Sequence, residues 1–223
     1  MNLDVPFSEF TQSLARRLTE PLPGFDAHRQ MASASRLKLL NQPNERTRRS
    51  AVLILFYPYL GEVHLPFILR PAYEGVHGGQ VAFPGGRMER SDESLVRTAL
   101  REAQEEIGIR VSDVTVLGQL TELFIPPSNF MVLPVVGCMN RKPEFYPDPH
   151  EVEAVFEVTL GELANDQIRT NRTLDVRGVP VEAPGFVIQD FYVWGATAMM
   201  MAELLEVVRS AEGIGVKSSK FEV

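Results

Sequence analysis

The chain has 223 residues, with 22 Lys and Arg against 29 Asp and Glu and a formal net charge of −7. Apolar residues make up 44% and charged residues 23%, an ordinary globular balance that excludes a disordered, collagenous or disulfide-scaffolded chain. The acid excess argues against a general nucleic-acid or membrane-surface binder, because polyanions are repelled, and the length suits one large domain or one domain with extensions.

Phe7, Phe10, Leu14 and Leu18 recur at three- and four-residue spacing, so residues 6–19 are expected to form an amphipathic helix ended by Pro21 and Pro23. Nothing in residues 1–20 resembles the apolar run of a signal peptide, and the most apolar stretch, Ala51 to Leu60, is half a membrane helix in length and carries Pro58. A soluble, cytoplasmic protein is expected, with the lone Cys138 a buried thiol. Residues 24–48 are polar and have the texture of a connector. From Ala51 the runs AVLILFYPYL and HLPFILR predict two strands joined at Gly61-Glu62, and a short strand at 79–83 precedes Pro84-Gly85-Gly86. A long helix is predicted over residues 92–107, capped by Ser91 or Asp92, with an apolar stripe of Leu95, Ala99, Ala103 and Ile107 and a stop at Gly108. Strand-like runs follow at 114–121, 131–138, 152–158 and 173–181, then a mixed run at 186–194, a helix from Ala196 to Arg209 and a polar, mobile tail from Gly213. The order predicts an α+β fold with a mixed sheet covered on both faces. The expected division is residues 1–49 as an N-terminal helical extension, 50–211 as the main domain and 212–223 as tail.

The helix at 92–107 has one feature its packing does not require. In the run REAQEE, Glu102, Glu105 and Glu106 project from neighbouring points of one face. Like charges so spaced destabilise a helix, so compensation is expected from Arg101 or, more effectively, from a divalent cation. Oxygen ligands at this density suit Mg²⁺ or Mn²⁺, which keep several waters and also bind phosphates. Taken alone, the pattern also fits a solvated acidic face with Arg101 as a surface ion pair.

The context separates the two. Quoted whole, GGRMERSDESLVRTALREAQEEIGI resembles the signature of the Nudix hydrolases: Gly, five residues, Glu, seven residues, Arg-Glu, an aliphatic, any residue, Glu-Glu, any residue, Gly, an aliphatic. Every named position is filled, with Ala103 at the first aliphatic place, but six residues rather than five separate Gly86 from Glu93. Arg70, then the segment Gly79-Gln80-Val81-Ala82-Phe83-Pro84-Gly85-Gly86, and later Ile125-Pro126-Pro127-Ser128-Asn129-Phe130, are similar to the coenzyme A pyrophosphatase branch. Pro71 and Gly75 depart from that branch, which commonly has Ser or Ala and a second Arg at about those places.

The resemblance implies a Nudix-like α/β/α sandwich and metal-dependent hydrolysis of a nucleoside diphosphate linked to another moiety. The first substrate is coenzyme A, cleaved to 4′-phosphopantetheine and adenosine 3′,5′-bisphosphate. Alternatives are another such nucleotide (an ADP-sugar, a dinucleotide or a damaged nucleotide) and a ligand-binding module that has the fold without catalysis. The implied metal ligands are Glu102 and Glu106, with Glu105 for a second ion and the Gly86 carbonyl. Arg101 orients the glutamates, and Gly85, Glu93 and Gly108 shape the motif. The base stays open between Glu105 and the later acids Glu122, Asp148, Glu151 and Glu153. Arg70 is the candidate for the 3′-phosphate of coenzyme A, with Arg87 and Arg90 nearby. His77, Phe83 and Phe130 are candidate substrate contacts. Nudix enzymes are often homodimers, so a homodimer is also implied.

Overall fold

The computed structural model describes residues 5–37, 43–72, 78–176 and 178–211. The elements, in order, are α1 (Phe7–Arg17), α2 (Phe25–His28), a 3-10 turn (Arg29–Met31), α3 (Ala34–Leu37), β1 (Arg48–Tyr59), β2 (Glu62–Leu69), β3 (Val81–Ala82), β4 (Gly85–Arg87), α4 (Leu95–Ile107), β5 (Thr115–Gln119), β6 (Leu123–Ile125), β7 (Phe130–Cys138), β8 (Ala154–Thr159), α5 (Leu160–Leu163), β9 (Arg169–Val176), β10 (Val179–Ile188), β11 (Phe191–Trp194) and α6 (Gly195–Ser210).

β1 is the axis of the molecule. It runs parallel to β7 and antiparallel to β2 and β4, so the sheet is mixed. Its continuous apolar run is that of a strand buried on both faces. Ala51, Leu53, Leu55 and Tyr57 point to one side and pack with Ala99, Ala103 and Ile107 of α4. Ile54 and Phe56 point to the other and pack with Phe10 and Leu14 of α1 and with the Met199-Met200-Met201 run of α6. The α/β/α layering is therefore the alternation of one strand read on both faces. A separate sheet, in the order β11-β10-β9, lies beside this body.

Three expectations need correction. α4 begins three residues later than the acids suggest: Ser94 is the cap, accepting from Arg97 N at 3.2 Å, because Asp92 is occupied elsewhere. The run 173–181 is not one strand but the turn of a hairpin, where Asp175 Oδ1 accepts from Gly178 N at 2.7 Å and Gly178 takes φ +79°. Gly85 and Gly86 lie in β4, pairing with Val52 and Ala51 of β1. The 24–48 segment is more than a connector, since Ala27, His28, Met31 and Ala32 in it are buried. The expected tail from Gly213 lies outside the described residues.

One buried polar cluster fastens that segment. Glu203 of α6, fully buried, accepts from His28 Nε2 at 2.8 Å, Gly24 N at 3.1 Å, Thr121 N at 3.2 Å and Thr121 Oγ1 at 2.6 Å. A carboxylate taken out of water persists where its oxygens are satisfied in this way. No helix among the described residues is long and apolar enough to cross a membrane.

Candidate active site

The site forms where α4 crosses the Gly85-Gly86 strand. Glu106 is 1% exposed. Its Oε2 accepts from Gly85 N at 2.6 Å, and its Oε1 lies 3.3 Å from Arg70 Nη2. Burial pushes its carboxyl up to about 7, against the opposing pull of Arg70 and the Gly85 N–H. Burial also raises the half-buried Glu102. Two glycines make the approach possible. A Cβ on Gly85 would lie 2.5 Å from Val52 Cα, and one on Gly86 would lie 2.5 Å from Glu102 Cδ. Only a residue without a side chain fits against β1 at position 85, and only such a residue lets Glu102 meet the strand at position 86.

The third carboxylate comes from far along the chain. Tyr146 N donates to Ile107 O at 3.0 Å and Asp148 N to Glu106 O at 3.1 Å, so the loop before β8 is tied to the end of α4. That tie brings Glu151 to the site, where one oxygen each of Glu102, Glu106 and Glu151 lie within 4.8 Å of one another. Of the four later acids considered as bases, Glu151 alone joins this trio. Glu122 pairs with Arg49, and Asp148 Oδ1 accepts from His150 N at 2.9 Å. Glu105 stands outside the trio too. It is largely exposed and its Oε2 is 2.8 Å from Arg101 Nη1, one turn back.

Arg101 pairs with Glu102 and Glu105, and it also binds Asp92 through two nitrogens. Arg101 Nε and Nη2 reach the two Asp92 oxygens at 3.0 and 2.9 Å, while Nη2 also lies 3.0 Å from Glu102 Oε1. Asp92 further accepts from Glu89 N and Thr98 Oγ1. The Arg101 bonds hold the Asp92 carboxyl well below the usual carboxylate range. Glu93 is exposed. Five residues separate Asp92 from Gly86, so the acid at the regular spacing carries the structural role, and the extra residue falls after it. Gly108 ends the helix with φ +72°, as predicted.

Beside the carboxylates opens a cavity of about 710 Å³, within the size range of small-molecule sites. It shares Arg70, Gly85 and Gly86 with the acidic recess. Arg70, a candidate for a distant phosphate, is committed at this junction by its bonds to Glu106 and, at 2.9 Å, to Gly85 O. Phe130 lines the cavity with Arg48 over its ring at 4.1 Å. Phe83 also borders it, but its ring is fully buried and stacked on Phe67 at 4.7 Å, so it serves the core first. His77 lies outside the described residues. Two lining residues that the sequence did not single out, Arg36 and Ser128, carry buried polar side-chain atoms without a hydrogen-bond partner. No local pattern announces them.

The motif, the sandwich and this acidic recess are those of a Nudix hydrolase. Residues 47–191 match the NUDIX domain, and the chain belongs to that family. It is similar to the uncharacterized Nudix hydrolase NudL of Yersinia pestis (strain Pestoides F), at 35% identity over 165 residues, covering 72% of this chain and 80% of that one. NudL of Yersinia pseudotuberculosis serotype O:1b matches to the same extent. Among solved structures, the MutT/nudix family protein from Enterococcus faecalis superposes with a TM-score of 0.49 at 15% identity, over 92% of this chain and 75% of that one. The chain is accordingly a pyrophosphohydrolase, of a family whose members generally require a divalent cation such as Mg²⁺ or Mn²⁺.

Proposed function

We propose that the chain hydrolyses the pyrophosphate of coenzyme A or its derivatives, releasing 4′-phosphopantetheine and adenosine 3′,5′-bisphosphate. The observation that carries this reading is an acidic trio beside a large, mostly apolar cavity whose charged lining, among the described residues, is Arg36, Arg70 and Arg87 against Asp175. A long substrate with an apolar arm and several phosphates matches that combination. The motif segments around Arg70 and Ile125–Phe130 support the same branch.

The trio fits a divalent cation. Three carboxylates converge, one of them buried and only partly compensated, and Gly86 leaves the room a side chain would fill. Glu102 and Glu106 would hold Mg²⁺ or Mn²⁺, with the Gly86 carbonyl beside them; such an ion offsets pyrophosphate charge and lowers the pKa of a bound water. Arg101 fixes Glu102 in place, and Arg70 braces Glu106 against Gly85. Glu151, whose carboxylate is exposed and has no hydrogen-bond partner among the described residues, accepts the proton of the attacking water.

The test is product analysis by chromatography after incubation with coenzyme A, 3′-dephospho-coenzyme A, ADP-ribose and dinucleotide polyphosphates, with Mg²⁺, Mn²⁺ or chelator. Metal-dependent release of 4′-phosphopantetheine, with coenzyme A the best substrate, is expected. A higher kcat/KM for another nucleotide would keep the chemistry and replace the substrate.

A further inference from the structure

Arg36 is an unusual arginine. Its Nε and Nη2 are buried and have no hydrogen-bond partner, and no ion pair to it exists among the described residues. A guanidinium carries five donors and is rarely left so. It lines the 710 Å³ cavity but not the acidic recess. Burial pushes it down to about 10, which still leaves it a cation at neutral pH.

The surroundings deepen the anomaly. A Cβ placed on Gly195, the first residue of α6, would lie 3.8 Å from Arg36 Nη1, so the guanidinium stands at the amino end of that helix. α6 has 16 residues, no acidic residue in its first turn and no side-chain hydrogen bond from its cap residue Trp194. Its dipole therefore adds positive potential where a buried cation already sits. Trp194, Gly195 and Ala196 line the same cavity, as does Ser128, whose buried Oγ also lacks a partner. The one carboxylate of the described lining, Asp175, is exposed and bonded to Gly178 N. An unpaired cation, a positive helix end and an orphaned hydroxyl around one cavity lack an anion.

We propose that Arg36 and the amino end of α6 form a subsite for a phosphate monoester carried on the substrate's nucleoside, apart from the bond that is cleaved. The proposal rests on the reading of the chain as a coenzyme A pyrophosphatase, and it places the nucleotide half of that substrate in the cavity. It moves the recognition of a remote phosphate from Arg70, which is bound to Glu106, to Arg36. Both components lie outside residues 47–191, so the parts of the chain beyond the family domain select the substrate.

Calorimetry compares adenosine 3′,5′-bisphosphate with AMP, in chelator, on the full chain and on its Arg36→Ala and Arg36→Lys variants. The bisphosphate is expected to bind the unaltered protein at least about tenfold more tightly than AMP, the 1.4 kcal/mol of one added charge-assisted contact. Arg36→Ala should abolish that ratio and Arg36→Lys should keep part of it. The ratio of kcat/KM for coenzyme A over its 3′-dephospho form should fall by a similar factor in Arg36→Ala. Melting separates this from a structural role: removing an unpaired buried cation should leave Tm unchanged or higher, whereas a structural arginine would lower it. Equal binding of both nucleotides by the unaltered protein, or equal weakening of both by Arg36→Ala, would overturn the subsite. If coenzyme A is not cleaved yet the binding ratio depends on Arg36, the subsite stands and the substrate reading falls. If coenzyme A is cleaved with no dependence on Arg36, the reverse holds.

Discussion

Glu106 is built for charge it cannot stabilise alone. The helix places it, the Gly85 N–H and Arg70 hold its two oxygens, and burial still pushes its carboxyl up to about 7. Such a residue is a poor contributor to the fold and a good ligand for a cation, the usual compromise at a functional site. Glu106→Gln should therefore lower kcat by roughly 10³-fold, the several kcal/mol a bound cation supplies. The Tm of the chelated protein should not fall, because an amide replaces a buried anion. Turnover within tenfold of the unaltered protein, read in the same product assay, would remove Glu106 from the metal site. Glu105, one residue earlier, is the comparison: it is exposed and paired with Arg101, whereas Glu106 is buried against Gly85 and Arg70.

At the scale of the element, α4 is oriented by its first loop as much as by its apolar stripe. Asp92 joins the strand-to-helix junction to Arg101, and through it to Glu102. Its carboxyl is depressed by the Arg101 bonds, so the sign is that of a stabilising anion. The contribution is complete above about pH 5, where the unfolded chain's aspartates are ionised. It is lost progressively as pH falls below about 4 toward the folded-state value. Asp92→Asn should cost about 1.5–3 kcal/mol at neutral pH, the range for a hydrogen bond to a charged group. It should also flatten the acid limb of a denaturation series. A variant whose loss is the same at pH 3 as at pH 7 would contradict this assignment. Glu93, next in sequence, should be replaceable by Gln with little change in stability.

At the scale of the molecule, the N-terminal extension is part of the body. α1 supplies Phe10 and Leu14 to the core on the α6 face, and Glu203 gathers His28, Gly24 and Thr121 into one buried cluster. The segment that carries Arg36 to the cavity is anchored there. Glu203→Ala strands several buried donors at once and should destabilise by about 3 kcal/mol or more. Hydrogen exchange should rise first in residues 24–37 and not in α4. Uniform acceleration across both regions, or no loss of stability, would show that the cluster does not hold the segment.

The sequence alone determined the reaction class and the frame that serves it. A motif confined to one loop and one helix is local, so spacing along the chain conveys nearly all of its geometry; Gly86, Arg101, Glu102, Glu106 and Gly108 stand where that spacing puts them. The continuous apolar run of β1 and the amphipathic periods of α1 and α4 are also local properties, and they are enough to predict a sheet covered on both faces by helices. The tertiary structure decided what depends on residues distant in sequence. Glu151 reaches the trio because a loop 40 residues on hydrogen-bonds to the end of α4. Asp92 displaces Glu93 because Arg101 selects by geometry rather than by position in a pattern. Arg36 matters because its buried Nε and Nη2 find no partner among the described residues, and that is a property of three-dimensional space that no single stretch of sequence contains.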